Sequence, residues 1–408
     1  MSDAILLRNG NIISMAVHAV PEKCDIVIEN GQIAAISRNI SAEGKVSIDC
    51  TGKYLIPGLF DMHAHAIFSD MNETFLANGI TSVRNMWGFP RIQEWMQEIE
   101  RGERNGPTIY STGPLMDGKE FWPGCVVVST PAEAEKAVRD TVEAGYRQVK
   151  TYPDIPREAF IRLMETAAKL GIRVVGHANR NVSTRELVDL GYYCVEHASL
   201  LPKNEEEVIM LAESGVWNCP TLVVIKSIKD YLQEGKPFGE AACFQKLSQK
   251  TKNYWEEEKA FLAKIPRMKE MNVDEIFGMG RLFARHSGNI LAGSDAMTMG
   301  VAAGFSLLEE LELMVAILGL SPYQALRSAT AKAAEHLGID RNTGTLEAGK
   351  DVDVLVLEAD PLADISNVRK LETVIRKGKL LERAELDRML ERTRTTPIEE
   401  VEAVYKGV

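Results

Sequence analysis

The sequence lacks the features that would place it in a membrane, on nucleic acid or in a disulfide framework. No stretch approaches the roughly 18 apolar residues that a membrane-spanning helix needs. Acidic residues outnumber basic ones, 58 to 47, and the net charge of −11 argues against nucleic acid or an anionic membrane as a partner, since both demand a basic face. The six cysteines include no Cys-x-x-Cys pair, which favours reduced thiols over disulfides or a structural zinc site.

The first ten residues, MSDAILLRNG, show no basic leader followed by an apolar run and a small-residue cleavage site. Together with the reduced cysteines, this favours a cytoplasmic protein. A composition of 45% hydrophobic and 26% charged residues is that of an ordinary globular chain. Since 408 residues are too many for one compact core, we expect a large domain with a small satellite. The expected partner is a small molecule. The oligomeric state stays open, a homo-oligomer included.

Short β-type runs occupy both ends of the chain. Near the start, Asn9-Gly10 and Asn30-Gly31 separate alternating apolar runs, which predicts hairpins in a small antiparallel sheet. Near the end, 351–357 and 373–379 also read as strands. Neither end could bury a core alone, so we predict that 1–57 and 345–408 pair into one small β-sandwich domain.

The middle of the chain alternates strand and helix patterns. The predicted strands lie at 59–65, 80–86, 108–115, 146–150, 172–177, 192–197, 217–224 and 290–295. Eight parallel βα units close into a (β/α)8 barrel, so the predicted fold class is α/β, a TIM barrel over 58–344 with the small β-sandwich attached. The interval 225–289 is too long for one βα connection and follows strand seven, which predicts a lid at the catalytic rim, with a decorated surface helix pair as the alternative.

Two histidines two residues apart close the first strand of this middle region, in the run Pro57-Gly58-Leu59-Phe60-Asp61-Met62-His63-Ala64-His65. Because side chains of a strand alternate between two faces, His63 and His65 share one side and could hold one cation. Two ordinary histidines on a half-buried strand are the alternative. Asp61 shares their face, and we interpret it as a supporting or packing residue.

Other chemistry-bearing residues also close predicted strands, and these are Lys150, His177, His197 and Asp295. The C-terminal ends of barrel strands are where such enzymes keep their catalytic groups. With the Pro-Gly-Leu-x-Asp-x-His-x-His pattern, this set resembles the amidohydrolase superfamily over nearly the whole chain. The segments 319–331 and 344–353 resemble its imidazolonepropionase-like branch, which includes prolidase-type dipeptidases.

The resemblance implies a binuclear metal centre. One divalent cation, most plausibly zinc, would take His63, His65, Lys150 and Asp295, and a second would take Lys150, His177 and His197. Lys150 would carry a CO2-derived carbamate that bridges the metals, because a bare ammonium repels cations. A hydroxide would be shared by the metals, and Asp295 would serve as general base and then general acid.

The residues next to these ligands suggest substrate contacts. Tyr152 could hydrogen-bond a substrate oxygen, and Arg180 could pair with a substrate carboxylate, although both could simply be rim residues. The expected function is a metal-dependent hydrolase of an amide-type C–N bond in a small molecule, of the dipeptide or N-acyl amino acid class. The alternatives are hydrolysis of a lactone, phosphotriester or cyclic ring, or deamination of a heterocycle by a single metal. A scaffold without activity is disfavoured by the full ligand set. His18, His286 and His336 lie away from strand ends and are interpreted as structural.

Overall fold

The computed structural model describes residues 4–16, 20–120, 122, 124–351 and 353–404, so His18 lies outside the described residues. The strands are β1 Ala4–Ile12, β2 Glu22–Glu29, β3 Gln32–Ser37, β4 Lys45–Asp49, β5 Tyr54–Pro57, β6 Leu59–Ala64, β7 Ile80–Asn85, β8 Thr108–Ser111, β9 Leu115–Asp117, β10 Val126–Val127, β11 Gln148–Thr151, β12 Arg173–Gly176, β13 Cys194–Glu196, β14 Trp217–Cys219, β15 Asp353–Leu357, β16 Leu371–Arg376 and β17 Lys379–Glu382.

The helices are α1 Met71–Ala77, α2 Pro90–Glu100, α3 Pro131–Glu143, α4 Arg157–Leu170, α5 Thr184–Asp189, α6 Glu205–Glu213, α7 Leu222–Ser227, α8 Gln249–Leu262, α9 Pro266–Lys269, α10 Val273–His286, α11 Phe305–Leu313, α12 Pro322–Ser328, α13 Ala331–Leu337 and α14 Arg383–Thr395. Among the residues described, no helix is long and apolar enough to cross a membrane.

The two chain ends meet in one mixed sheet. Its order is β17-β16-β15-β5-β1-β2-β3, with β4 also paired to β1. Strand β5 joins the halves, because it pairs with β15 from the end of the chain and with β1 from the start. An antiparallel sheet was predicted, but this sheet is mixed, because β4 and β5 both run parallel to β1. A small apolar cluster that includes Leu7, Ile26 and Val354 packs against it.

One of the predicted turns is wrong. Strand β1 continues through Asn9-Gly10, where the pairing with β2 shifts register and Asn9 adopts φ 57°. An Asn-Gly pair supplies positive φ equally well to a bulge or to a hairpin, so the sequence cannot separate them. Asn30-Gly31 does form the turn between β2 and β3, with φ values of 53° and 77°.

The middle of the chain forms parallel strands in a TIM-barrel-like α/β fold, in chain order except that β10 lies outside β9. Strands β6, β7 and β8 form one parallel sheet, and β10-β9-β11-β12-β13-β14 form another. The backbone N–H of Gly113, which follows β8, donates to the Gln148 carbonyl of β11 at 2.9 Å and joins the two sheets. The large core lies around these strands, between them and the surrounding helices.

The run 289–296 connects the other edges of the two sheets. The amide of Leu291 donates to the Asn218 carbonyl at 3.0 Å, and Asp295 donates to the His63 carbonyl at 2.7 Å. This run is not a regular strand, in contrast to the prediction for 290–295. The predicted strand at 217–224 is also too long, because β14 ends at Cys219 and α7 begins at Leu222.

Capping residues in the sequence fix where helices α3 and α4, on either side of β11, begin or end. Thr130 and Glu133 form a capping box at the start of α3, and Gly171 adopts the left-handed conformation that ends α4. Phe160 and Leu163 of α4 are buried against the core. This regular packing fixes β11 and β12 side by side, with Lys150 opposite Val175.

The last helix, α14, contacts the barrel-like region. Arg392 donates to both oxygens of Glu73 in α1, at 2.9 and 3.0 Å, and Thr393 donates to the Asp70 carbonyl at 3.2 Å. Helix α14 also contacts β16 and β17, and Nη1 of Arg383 donates to the Leu371 carbonyl at 3.2 Å. That 345–408 belong to the small domain stays a prediction.

Candidate functional site

A cavity of about 890 Å3 opens where the parallel strands end. His65 follows β6, His177 follows β12 and His197 follows β13, and all three line it together with Asp295. Strand C-terminal ends converge on one rim in this architecture, which explains how residues far apart in sequence meet there.

Asp295 lies among the histidines. Its Oδ1 atom is 3.4 Å from Nε2 of His63 and 3.1 Å from Nε2 of His65, and its Oδ2 atom is 3.8 Å from Nδ1 of His197. Burial raises the pKa of Asp295, but the neighbouring His63, His197 and His65 outweigh burial and hold it below its ordinary value. Asp295 is therefore an anion at neutral pH, as a metal ligand or a proton acceptor must be.

His177 and His197 form the other side of the cluster. Their ring centroids are 4.9 Å apart, and the His197 ring is 4.6 Å from that of His63. Burial lowers the pKa of His63 and of His177 well below the usual value, and lowers that of His197 to about 4. The imidazoles are thus neutral at pH 7, the state in which a histidine nitrogen can bind a metal.

Lys150 lies within β11, one residue before the strand end, and is fully buried. Its Nζ atom has no hydrogen-bond partner among the described residues and lies 5.8 Å from the centre of the Tyr152 ring. Burial lowers the pKa of Lys150 to about 8, although Glu196 and Asp295 oppose this effect. Burying an ammonium group without a hydrogen-bond partner costs free energy, so the position of the Lys150 amine calls for a chemical reason.

A buried carboxylate orients His63 from behind. Oε2 of Glu196 lies 2.8 Å from Nδ1 of His63, and both Glu196 oxygens accept from Nη2 of Arg84, at 2.7 and 2.8 Å. Arg84 also donates from Nε to the Met62 carbonyl at 2.6 Å and contacts Nε2 of His336 at 2.7 Å. Such a carboxylate fixes the ring so that the opposite nitrogen faces the cluster.

Asp61 holds the run that carries Asp295. Its carboxylate accepts from the Ser294 amide at 2.9 Å, from the Ser294 hydroxyl at 2.6 Å and from the His63 amide at 3.2 Å. Gly293 lies so close to β6 that an added Cβ would be 2.6 Å from the His63 nitrogen. A side chain there would force the Asp295 run away from the histidines.

Two site residues have backbone conformations that are rare for residues with side chains. His197 has φ 67° and Asp295 has φ 63°. Residues in such conformations cost free energy and persist where the surroundings hold them, commonly at functional sites. The Asp61 contacts to Ser294 supply that support beside Asp295.

The predicted substrate contacts also line the cavity. The Tyr152 ring stacks on His177, with centroids 4.0 Å apart, and burial raises the pKa of its phenol well above the ordinary value. Arg180 is exposed at the rim, where Nη1 lies 2.8 Å from Oδ1 of Asp154. His286 instead lies 3.1 Å from Glu213, away from this cavity.

Residues 225–289 supply one side of the cavity. Tyr254, Glu258 and Leu262 of α8 line it, as do Arg267 and Met271 farther along the chain. The segment has an apolar cluster of its own, which includes Trp255 and reaches Met299, just beyond Asp295. The function of 225–289 as a mobile lid stays a prediction.

Three residues near the site, Glu196, Arg84 and Glu258, were not predicted from the sequence. Glu196 and Arg84 are charged residues inside predicted strands, which is a usable signal for a buried polar network. Glu258 carries no comparable signal, because α8 bears several glutamates and only tertiary packing shows which one faces the cavity.

The residues present fit a divalent metal. Ligand atoms of His63, His197 and Asp295 all lie within 4.8 Å of one another. Nε2 of His63, Nδ1 of His65 and Nε2 of His177 are buried and lack hydrogen-bond partners in the described part of the chain. Neutral imidazoles with a carboxylate form a typical donor set for zinc and related cations.

Comparison with known proteins places the chain in a family. The amidohydrolase family model matches residues 54–381. The imidazolonepropionase of Thermoplasma volcanium is 23% identical over 406 residues, covering 86% of this chain and 88% of that protein. The dihydroorotase of Carboxydothermus hydrogenoformans is 27% identical over 203 residues, 46% of this chain and 45% of that one.

A solved structure from Bifidobacterium longum, assigned provisionally as a prolidase, superimposes with a TM-score of 0.74 at 25% identity, covering 96% of this chain and 99% of that chain. The matched range includes both the His63–His65 segment and the Asp295 run. The chain therefore belongs to the amidohydrolase family.

Proposed function

We propose that this protein is a binuclear metal-dependent hydrolase that cleaves an amide-type C–N bond in a small molecule of the dipeptide or N-acyl amino acid class. Family membership supports a hydrolase acting on C–N bonds. The metal count, the carbamate and the substrate class are our proposal.

The buried amine of Lys150 carries the proposal. It is buried without a hydrogen-bond partner among the described residues and interacts electrostatically with His63, His177, His197 and Asp295, so an ammonium there would repel cations. A neutral amine can attack the carbon of CO2, forming an N–C bond and releasing one proton to solvent. The product is an anion with two oxygen donors, and it relieves both the unpartnered amine and the shortage of anionic ligands.

The residues divide into two ligand sets. His63, His65 and Asp295 would hold one cation, His177 and His197 the other, and carboxylated Lys150 would reach both. When bound, two divalent cations lower the pKa of a water between them and polarise the substrate carbonyl. Asp295 accepts the water proton and returns it to the leaving amine, while Tyr152 and Arg180 orient the substrate.

A hydrolase of a cyclic substrate is the second candidate, because two of the relatives are an imidazolonepropionase and a dihydroorotase.

We also propose that the parallel strands and the run 289–296 form a closed (β/α)8 barrel, and that the mixed sheet of the chain ends belongs to a small β-sandwich domain. The hydrogen bonds of the 289–296 run to both sheets support the closure.

The test is reconstitution. Chelator-stripped protein in CO2-depleted buffer is given zinc, bicarbonate or both, and is assayed with dipeptides, N-acyl amino acids, lactones, cyclic amides and organophosphates. We expect hydrolysis of an amide substrate only when zinc and bicarbonate are supplied together.

Labelled bicarbonate supplies a second readout. Carbon-13 NMR should show a carbamate resonance in the reconstituted wild type and in Lys169→Ala, which alters an exposed lysine, but not in Lys150→Ala. A short acid such as propionate should partly restore activity to Lys150→Ala. Full activity with zinc alone would contradict the carbamate and favour the single-metal alternative.

A further inference from the structure

Helix α8 presents one carboxylate to the cavity. Tyr254, Glu258 and Leu262 are spaced four residues apart, so they share one helix face, and all three line the cavity that holds Asp295. The position of this face is fixed from behind by Trp255, which is fully buried and packs on Phe238 with ring centroids 5.3 Å apart.

The Glu258 carboxylate forms no ion pair with any residue that the structure describes. Its Oε2 atom is enclosed by protein and has no hydrogen-bond partner in the part of the chain that the structure describes. Burial raises the pKa of this group to about 8, and Asp295 raises it further, while a hydrogen bond from the Met299 backbone opposes both. An enclosed carboxyl group beside another anion is costly unless a donor or cation occupies the space next to it.

The surrounding cavity wall suits an organic cation. Trp87 and Trp122 line the same cavity with ring centroids 6.2 Å apart, and Tyr254 adds a third aromatic side chain. Aromatic faces attract ammonium groups, and a carboxylate among them provides a full ion pair. Arg180 and Arg267 also line the cavity, and could pair with an acidic group elsewhere on the same ligand.

We propose that Glu258 is a specificity-determining residue that binds the protonated amino group of the substrate, which selects substrates with a free amine next to the scissile carbonyl over acylated ones. This inference rests on the proposed amide hydrolase function and narrows it to free dipeptides or amino acid amides. In an amino acid residue, the amine nitrogen lies about 2.5 Å from the carbonyl carbon. A group that binds this amine must therefore lie in the same cavity as the catalytic cluster, and Glu258 lines the cavity that Asp295 also lines.

The test compares two ligands that differ only in the amine. L-Leucine and 4-methylpentanoate share the carboxylate and the side chain, and their binding to the zinc-reconstituted protein is measured by titration calorimetry. We expect the wild type to bind leucine at least ten-fold more tightly, and Glu258→Gln to lose this preference. Glu257→Gln, which removes an exposed charge from the same helix, should keep it.

A kinetic comparison follows the same logic. The kcat/KM for Leu-Pro should fall at least ten-fold in Glu258→Gln, while that for 4-methylpentanoyl-proline should stay within about two-fold of the wild type and the zinc content should be unchanged. Equal binding of the two ligands by the wild type, or an undiminished preference in Glu258→Gln, would overturn the inference. Absence of any hydrolysis would contradict the proposed function instead, since the calorimetry needs no turnover.

Discussion

Oε2 of Glu196 lies 2.8 Å from Nδ1 of His63, and Arg84 holds the same carboxylate with two short hydrogen bonds. All three side chains are fully buried, so the position of the His63 ring depends on a charged pair that solvent does not screen. The Glu196–Arg84 pair therefore supports the proposed metal site through His63.

Glu196→Gln should weaken metal binding without removing a ligand. The amide keeps the shape and one hydrogen bond but loses the negative charge that orients and polarises His63, and such substitutions typically cost about 10–100-fold in metal affinity. Zinc affinity is measured by competition with a chromogenic chelator. His286→Ala, away from the cavity, is the control. Unchanged affinity would show that Glu196 serves only to neutralise Arg84.

Asp295→Asn should separate metal binding from proton transfer. We expect the variant to keep most of its metal and to lose at least two orders of magnitude in kcat, the usual scale for a positioned acid–base group. Metal content by mass spectrometry and kcat with a saturating amide substrate are the two measurements. A loss of only a few-fold would assign proton transfer to another residue.

The cluster could be predicted from the sequence because its members lie at the C-terminal ends of strands. His63 is the last residue but one of β6, and His177 and His197 directly follow β12 and β13; in parallel βα units such ends converge on one rim. The sequence supports no such argument for Glu258, whose position depends on how α8 packs over the cavity. Its neighbours Glu256 and Glu257 are exposed, although the three residues are chemically alike.

The local errors have physical causes as well. The Asn9-Gly10 pair is as compatible with a bulge as with a hairpin turn, because both need residues that can adopt positive φ. The run after Cys219 is apolar and β-branched, yet Glu310 accepts from the amides of Leu222 and Val223, at 3.0 and 2.8 Å, and so supports a helix start. A partner so distant in sequence cannot be found from local pattern.

Arg180→Gln should act on substrate binding alone. Arg180 lies at the exposed rim, where it forms an ion pair with Asp154. We therefore expect KM for a dipeptide to rise about ten-fold with kcat little changed, which is the pattern when a contact made equally to substrate and transition state is lost. The same dipeptide with an amidated C-terminus should be insensitive to the substitution. Equal effects on both substrates would mean that Arg180 holds the rim rather than the carboxylate.

Lys150 should make the metal-free protein less stable at neutral pH than at alkaline pH. Burial lowers its pKa from 10.5 to about 8 in the folded state, so the unfolded chain binds the proton more tightly. The resulting cost, up to roughly 3 kcal/mol, is fully present below the folded pKa and disappears as pH rises to the unfolded value.

The isosteric variant Lys150→Met isolates this effect. In CO2-free buffer without metal, its free energy of unfolding should exceed that of the wild type at pH 7, and the difference should shrink steadily between about pH 8 and 10.5. Urea unfolding at four or five pH values measures it, and Lys169→Met, at an exposed position, should show no such trend. A difference that does not change with pH would mean that Lys150 keeps its ordinary pKa when buried. The neutral amine that reacts with CO2 would then be much scarcer at neutral pH, and carboxylation would have to await the arrival of metal.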